Sequence, residues 1–143
     1  MATWDLSTMK HHILLCNGSS CNKAGAEELT QAVRSEISKR NLDNVIHTTR
    51  TRCNGRCKDR CVLVVYPFGT WYKEMKAEDA PRLIDSLMME STTKLNKISH
   101  QYNGESFERT VNTVEGVKKT VEKIEKVSKV IVSSENESFY KSN

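Results

Sequence analysis

The residues with the most chemistry to offer are five cysteines, and all five fall in two short segments. The first is Cys16-Asn-Gly-Ser-Ser-Cys21 and the second is Cys53-Asn-Gly-Arg-Cys57-Lys-Asp-Arg-Cys61. Each segment borders an apolar run of strand character, and Gly, Asn and Ser fill the gaps. Cysteines used for packing would not bunch at strand ends beside turn-forming residues. Two such loops, separated by one helix-and-strand unit, suggest one metal centre built from both. Four residues separate Cys16 from Cys21 and three separate Cys53 from Cys57. A 2Fe–2S cluster takes four thiolates, two to each iron, and the natural assignment gives one of these pairs to each iron. Gly18 and Gly55 lie beside the ligands, where a missing side chain lets backbone N–H groups approach sulfur.

Cys61 repeats the spacing, since Cys57-x-x-x-Cys61 matches Cys53-x-x-x-Cys57. It is therefore an alternative ligand to Cys57. The competing reading makes it a small buried residue that opens the following strand. A structural zinc site is the rival metal centre, but the cysteine spacing only just fits knuckle turns. A thiol–disulfide or redox-sensing protein is the rival chemistry. Catalysis of that kind wants Cys-x-x-Cys at a helix N-terminus, and no such tetrapeptide exists here, leaving Cys21 as a single reactive thiol. His11, His12, His47 and His100 show no ligand spacing with the cysteines. Gly18 and Gly25 do not form a phosphate loop.

The elements that must position these thiols can be read in order. Residues 1–9 carry no pattern and read as a leader, without the basic start or apolar run of a signal peptide. Residues 12–15 read as a buried strand ending at Cys16. Residues 17–20 are turn chemistry. Residues 24–40 read as a helix with Ala26, Leu29, Val33 and Ile37 on one face. Residues 45–52 form a second strand running into Cys53. Residues 61–66 form the clearest strand, returned by Pro67-Phe-Gly69 into residues 70–72 as a hairpin. Asp79 caps a last helix with Pro81 in its first turn and Leu83, Ile84, Leu87 and Met88 inward. The order β-α-β-β-β-α matches a thioredoxin-like layout, with a right-handed crossover.

After residue 91 the character changes. Residues 92–110 read as a polar linker. Residues 111–132 read as an amphipathic helix, with Val114, Val117, Val121, Ile124 and Ile131 as its stripe. Residues 133–143 read as a flexible tail. The chain of 143 residues, 37% hydrophobic, thus holds one domain, assigned to residues 10–91, and an appendage. A mean hydropathy of −0.58 agrees with part of the chain lying outside the core.

The second cysteine loop and the strand after it carry a specific likeness. Cys16, Cys21, Cys53-Asn-Gly-Arg-Cys57, the Val-Leu-Val-Val-Tyr-Pro strand and the Gly-Thr-Trp-Tyr return resemble the thioredoxin-like 2Fe–2S ferredoxins, relatives of the small iron–sulfur subunit of respiratory complex I. The likeness covers residues 10–89 and leaves the appendage unexplained. It implies an α/β fold, a central mixed sheet with flanking helices, followed by the C-terminal amphipathic extension. It implies a 2Fe–2S cofactor with Cys16, Cys21, Cys53 and Cys57 as ligands, and one-electron transfer rather than bond-making catalysis. The short gap between Cys16 and Cys21 is the one used by the complex I relatives.

Charge and composition bear on partners. The net charge of +4 is mild and does not call for nucleic acid. No stretch approaches the roughly 18 apolar residues of a membrane span. An odd cysteine count fits a reduced, cytoplasmic protein better than a disulfide framework. Lys23, Arg50, Arg52, Arg56, Lys58 and Arg60 lie in or beside the cysteine loops, which predicts a redox partner with an acidic docking face. Relatives of this ferredoxin class occur beside cobalamin-synthesis enzymes and in respiratory and hydrogenase assemblies, so the likeness implies a tetrapyrrole or cobalamin pathway enzyme as one candidate partner. The tail helix is a contact element, within the chain or between two copies in a homodimer.

Overall fold

Val62 to Val65 is an unbroken apolar run, the pattern of a strand covered on both faces. In the computed structural model, which describes residues 1–89 and 95–128, its core forms β3 (Leu63–Tyr66), the third strand of a six-stranded sheet. The spatial order is β2 (Ile46–Thr51), β1 (His11–Cys16), β3, β4 (Thr70–Tyr72), β5 (Ile98–Tyr102) and β6 (Phe107–Arg109). β1 and β2 are parallel, and every other neighbouring pair is antiparallel. The sheet is therefore mixed, as expected.

Period-two alternation divides β1 and β3 between two faces. Ile13, Leu15, Leu63 and Val65 join the main core with α2 (Ala26–Lys39) and α3 (Ala80–Met88). Leu29, Val33 and Ile37 of α2 and Leu83, Ile84 and Leu87 of α3 supply the helical side, on the stripes that the sequence predicts. Across the opposite face runs a row in register: Thr49, Leu14, Val64, Trp71, His100 and Arg109. Trp71 there meets His100 and Phe107 edge-on.

Several sequence expectations need correcting. The helix expected over residues 24–40 is present as α2 (Ala26–Lys39), but a separate short helix, α1 (Ser19–Lys23), precedes it, parted from it at Gly25, whose φ of 99° no other residue type adopts cheaply. Ser19 and Ser20 thus belong to a helix and not to a turn. The first strand-like residues of the 61–66 run, Cys61 and Val62, precede β3, which starts at Leu63. Asp79 sits at the N-cap of α3 but gives its carboxylate to Lys76 N and Lys97 Nζ instead of to that helix.

The expected polar linker over 92–110 holds β5 and β6. Its polar residues are satisfied by the sheet itself: Ser99 Oγ donates to Trp71 O at 3.2 Å, Gln101 Nε2 to Phe68 O at 2.9 Å and Thr70 Oγ1 to Gln101 Oε1 at 2.6 Å. Asn103 Oδ1 accepts the Glu105 and Ser106 amides, closing the β5–β6 turn as Asx turns do.

Of the helix expected over 111–132, the described residues 111–128 are helical only as α4 (Val121–Val127), capped by Thr120 Oγ1 accepting Lys123 N at 3.3 Å. Residues 111–120 are turn and irregular chain, pinned at buried Thr113, whose carbonyl accepts Arg109 Nη1 and whose hydroxyl meets Thr110 Oγ1. Residues 129–132 of that expectation and the expected tail 133–143 lie outside the described residues.

Candidate metal centre

Topology alone gathers the cysteines. Because β1 and β2 are parallel and in register, with Cys16 opposite Thr51, both strands finish at one edge of the sheet. Cys53 follows β2 by two residues, so it emerges beside Cys16. β3 runs the other way and begins at that same edge, which brings Cys57 and Cys61 there as well. The backbone ties the two loops at their roots: Cys16 N donates to Val62 O at 3.0 Å and Asn17 N to Thr51 O at 2.8 Å.

Gly18 then lets the loops touch. A Cβ on Gly18 would lie 3.0 Å from both Cα and Cβ of Cys53. With that approach open, Cys16, Cys21, Cys53 and Cys57 line one small cleft of about 30 Å³, together with Gly18, Ser19 and Ser20. Cys53 Sγ and Cys57 Sγ stand 3.5 Å apart. Cys16 and Cys21 are buried while Cys53 and Cys57 are exposed, so the cleft has an inner pair and an outer pair.

Cys61 does not line this cleft. It is 2% exposed and its thiol points at the carbonyls of Cys21 and Ala24, each 3.4 Å away. There it packs under the end of α1. None of the four histidines lines the cleft either; the His12 and His47 rings meet at a tilt with centroids 5.2 Å apart, and His100 lies against Trp71.

The donors around the sulfurs favour thiolate. Gly55 N donates to Cys53 Sγ at 3.3 Å, and Gly55 takes the positive φ of 80° that this tight loop needs. Burial opposes ionisation of Cys16, but the Gly18 and Asn54 N–H groups outweigh it and hold that thiol below its ordinary range. Burial pushes the Cys21 thiol up to about 12. At Cys53 the Gly55 N–H favours thiolate, yet the Cys57 sulfur and burial together leave that thiol raised. Burial also raises Cys61. A buried thiol held protonated is a poor nucleophile, which does not suit Cys21 for disulfide exchange.

This donor set fits a binuclear cluster. Two thiol pairs share a cleft and N–H groups point at sulfur, as iron–sulfur ligation requires. Among the described residues, no three Cys, His, Asp or Glu side chains close on a single point, whereas one zinc ion wants four ligands about one centre.

The charges beside the loops divide into two groups. Arg50 Nη2 pairs with Glu27 at 2.8 Å and Arg56 Nε with Asp59 at 2.7 Å. Lys23, Arg52, Lys58 and Arg60 have no ion pair among the described residues. Arg60 and Lys23 border one recess of about 290 Å³ beside α1. The part played by Arg56 is not visible in the sequence, although Asp59 three residues on is the signal that could have suggested an internal pair.

Comparison with known proteins identifies the family. The model of the thioredoxin-like 2Fe-2S ferredoxins matches residues 6–88. A Priestia megaterium protein named among the 2Fe-2S ferredoxins is 42% identical over 121 residues, covering 83% of this chain and 94% of its own length. A 2Fe-2S ferredoxin of Clostridium pasteurianum is 31% identical over 85 residues, covering 54% of this chain and 83% of its own. The fold also matches a solved thioredoxin-like 2Fe-2S ferredoxin of Aquifex aeolicus at 24% identity and a TM-score of 0.57, over 67% of this chain and 94% of that one. Sheet, cysteine cleft and sequence kinship converge: this chain belongs to the thioredoxin-like 2Fe-2S ferredoxins, and its cofactor is a 2Fe–2S cluster.

Proposed function

We propose that Cys16 and Cys21 hold one iron, that Cys53 and Cys57 hold the other, and that the chain carries single electrons to a redox enzyme. The observation that carries this reading is the single cleft lined by those four cysteines and not by Cys61. When bound, the cluster supplies a reversible one-electron change without bond making. The chain does the rest. Gly18, Asn54 and Gly55 direct N–H groups at sulfur, which favours the more negative, reduced state. The buried inner pair excludes water, and the exposed outer pair shortens the path to a docked protein.

Lys23, Arg52, Lys58 and Arg60 lie in or beside the cysteine loops and add positive charge there. An acidic partner face complements it, speeding encounter and fixing orientation. The same cations stabilise added negative charge at the centre. The cleft is lined by thiols, serines and a glycine, with no carboxylate or imidazole among the described residues to move a proton.

The test is direct. Anaerobically purified protein should be reddish brown and contain about two irons and two acid-labile sulfides per chain. Colourless protein holding one zinc would replace this reading with a structural zinc site.

A further inference from the structure

Arg56 stands between Cys53 and Cys57, yet its side chain turns inward and is only 15% exposed. Its Nε donates to Asp59 Oδ2 at 2.7 Å and its Nη2 to the Val114 carbonyl at 2.6 Å. Asp59 is itself buried, and its carbonyl accepts Glu74 N at 2.7 Å. The guanidinium therefore joins a fixed carboxylate to a segment far along the chain.

That segment, residues 110–116, is anchored by groups other than Arg56. Thr110 N donates to Ser99 O and Thr110 Oγ1 to Ile98 O, each at 2.9 Å, so the segment hangs from β5. The Thr110 and Thr113 hydroxyls meet at 2.6 Å, and Arg109 Nη1 donates to Thr113 O at 2.7 Å. Lys73 Nζ donates to Asn112 O. Gly116 then passes against Arg56, where a Cβ would lie 3.0 Å from Nη1.

Other hydrogen bonds of the loop that Arg56 belongs to are local, from Asn54 Nδ2 to Thr51 Oγ1 at 2.7 Å and to Arg52 O at 3.1 Å and from Arg60 Nη1 to Cys57 O at 3.2 Å. Cys53 and Cys57 are exposed, and nothing lies within 4 Å of where a Gly55 Cβ would be. Hydrogen bonds from a guanidinium to a buried carboxylate and a carbonyl are stronger than neutral ones. They connect an exposed ligand loop to the interior of the sheet.

We propose that residues 110–116 brace the Cys53–Cys57 loop, with Arg56 as the positioning residue through which the brace fixes the two outer thiols. This rests on the reading of Cys53 and Cys57 as ligands. The polar stretch after the ferredoxin core thereby holds the exposed half of the metal centre in place. The same contacts remove Arg56 from the charges offered to a partner.

Two variants loosen the brace from outside the ligand loop, Lys73→Gln and Thr113→Val. Two act at the strut, Arg56→Gln and Arg56→Lys. Amide hydrogen exchange in residues 53–57, iron release to a chelator and the electron paramagnetic resonance line shape of the reduced holoprotein are the readouts. Lys73→Gln, Thr113→Val and Arg56→Gln should each raise exchange in residues 53–57 and hasten iron release. For Arg56→Gln the change should be about tenfold, the effect of losing one hydrogen bond to a charged group. Arg56→Lys should recover part of this, and the line shape should move with the exchange. Raised exchange in residues 110–116 without any change in residues 53–57 or in iron release overturns the brace. Should Arg56→Gln not fold, the two outside variants decide alone. Wild-type protein that carries no iron even when purified anaerobically, yet shows the coupled exchange, would sink the ligand reading and leave the brace intact, so the two failures are distinct.

Discussion

Gly18 presses on Cys53 so closely that a methyl group between them would sit 3.0 Å from the Cys53 Cα and Cβ. Contacts that short between a Cβ and backbone force something to move, and here the moving part is a metal-binding loop. Gly18→Ala should therefore push the Cys53 loop away from Cys16 while leaving the hydrophobic core untouched. The expected outcome is normal secondary structure by circular dichroism and less than half of the wild-type iron after anaerobic purification. Full iron content in the variant would show that the loops need not touch.

Cys57 and Cys61 have the same spacing logic in sequence but different surroundings. Cys57 faces the cleft; Cys61 lies under α1 with its thiol on two carbonyls. Cys57→Ser should change the visible spectrum and lower iron retention. Cys61→Ser should keep the spectrum and cost about 1 kcal/mol, because a hydroxyl in that site is buried but can donate to the same carbonyls. Loss of the cluster in Cys61→Ser alone would reverse the assignment.

Much of this was legible because it depends on local pattern. The cysteine pairs, the run from Cys61 to Tyr66 and the stripe Leu29, Val33, Ile37 carry their meaning in a few neighbouring residues. β5 and β6 were not legible as strands because Ser99 and Gln101 face hydrogen-bonding partners on β4 and its turn in place of apolar ones. Asn103-Gly104 between them is a strong hairpin signal that the reading of 92–110 as a linker overlooked. Val114 and Val117 read as a helical stripe, yet both are exposed, and valine is stiff in a helix. A five-residue helix such as α1 is too short to show a stripe at all.

Burial holds the imidazoles of His11, His12 and His100 below their ordinary range. A folded state that resists protonation which the unfolded chain accepts loses stability as pH falls through the unfolded value of about 6.5. The stability of the holoprotein should be nearly flat above pH 7, as far as these groups contribute, and decline below that value. His12 also suffers repulsion from the neighbouring His47 ring, so His12→Gln should shrink the decline between about pH 7 and pH 5.5. An unchanged decline in the variant would remove His12 from the account.

The unpaired cations at the cluster side have a measurable signature that needs no natural partner. Oxidation of the reduced protein by anionic ferricyanide should slow as ionic strength rises from about 0.01 M to 0.15 M, because the Debye length falls from about 30 Å to 8 Å. Lys58→Glu combined with Arg60→Glu should flatten or invert that dependence. Arg50→Gln should change it far less, since Glu27 already neutralises Arg50 at 2.8 Å. Equal effects from all three positions would mean that local pairing does not decide which charges are felt.

Gly69 separates the stability of the added strands from that of the metal centre. It takes a φ of 69°, and a Cβ there would lie 2.7 Å from Tyr102 Cβ. Its amide bonds to Val65 O at 2.8 Å while its carbonyl accepts Tyr102 N at 3.0 Å, so it joins the β3–β4 turn to the end of β5. Gly69→Ala adds a left-handed conformational cost of about 1–2 kcal/mol to that clash. The turn lies at the sheet edge opposite the cysteines, because β3 runs away from them. Damage should therefore be graded along β5: exchange rises most at Tyr102 and least at Ile98, which pairs with Tyr72 near the cysteine edge. Iron content should stay at the wild-type level while the melting temperature falls. Uniform loss of protection across β5, with iron lost in proportion, would instead mean that the added strands and the cysteine edge unfold as one unit.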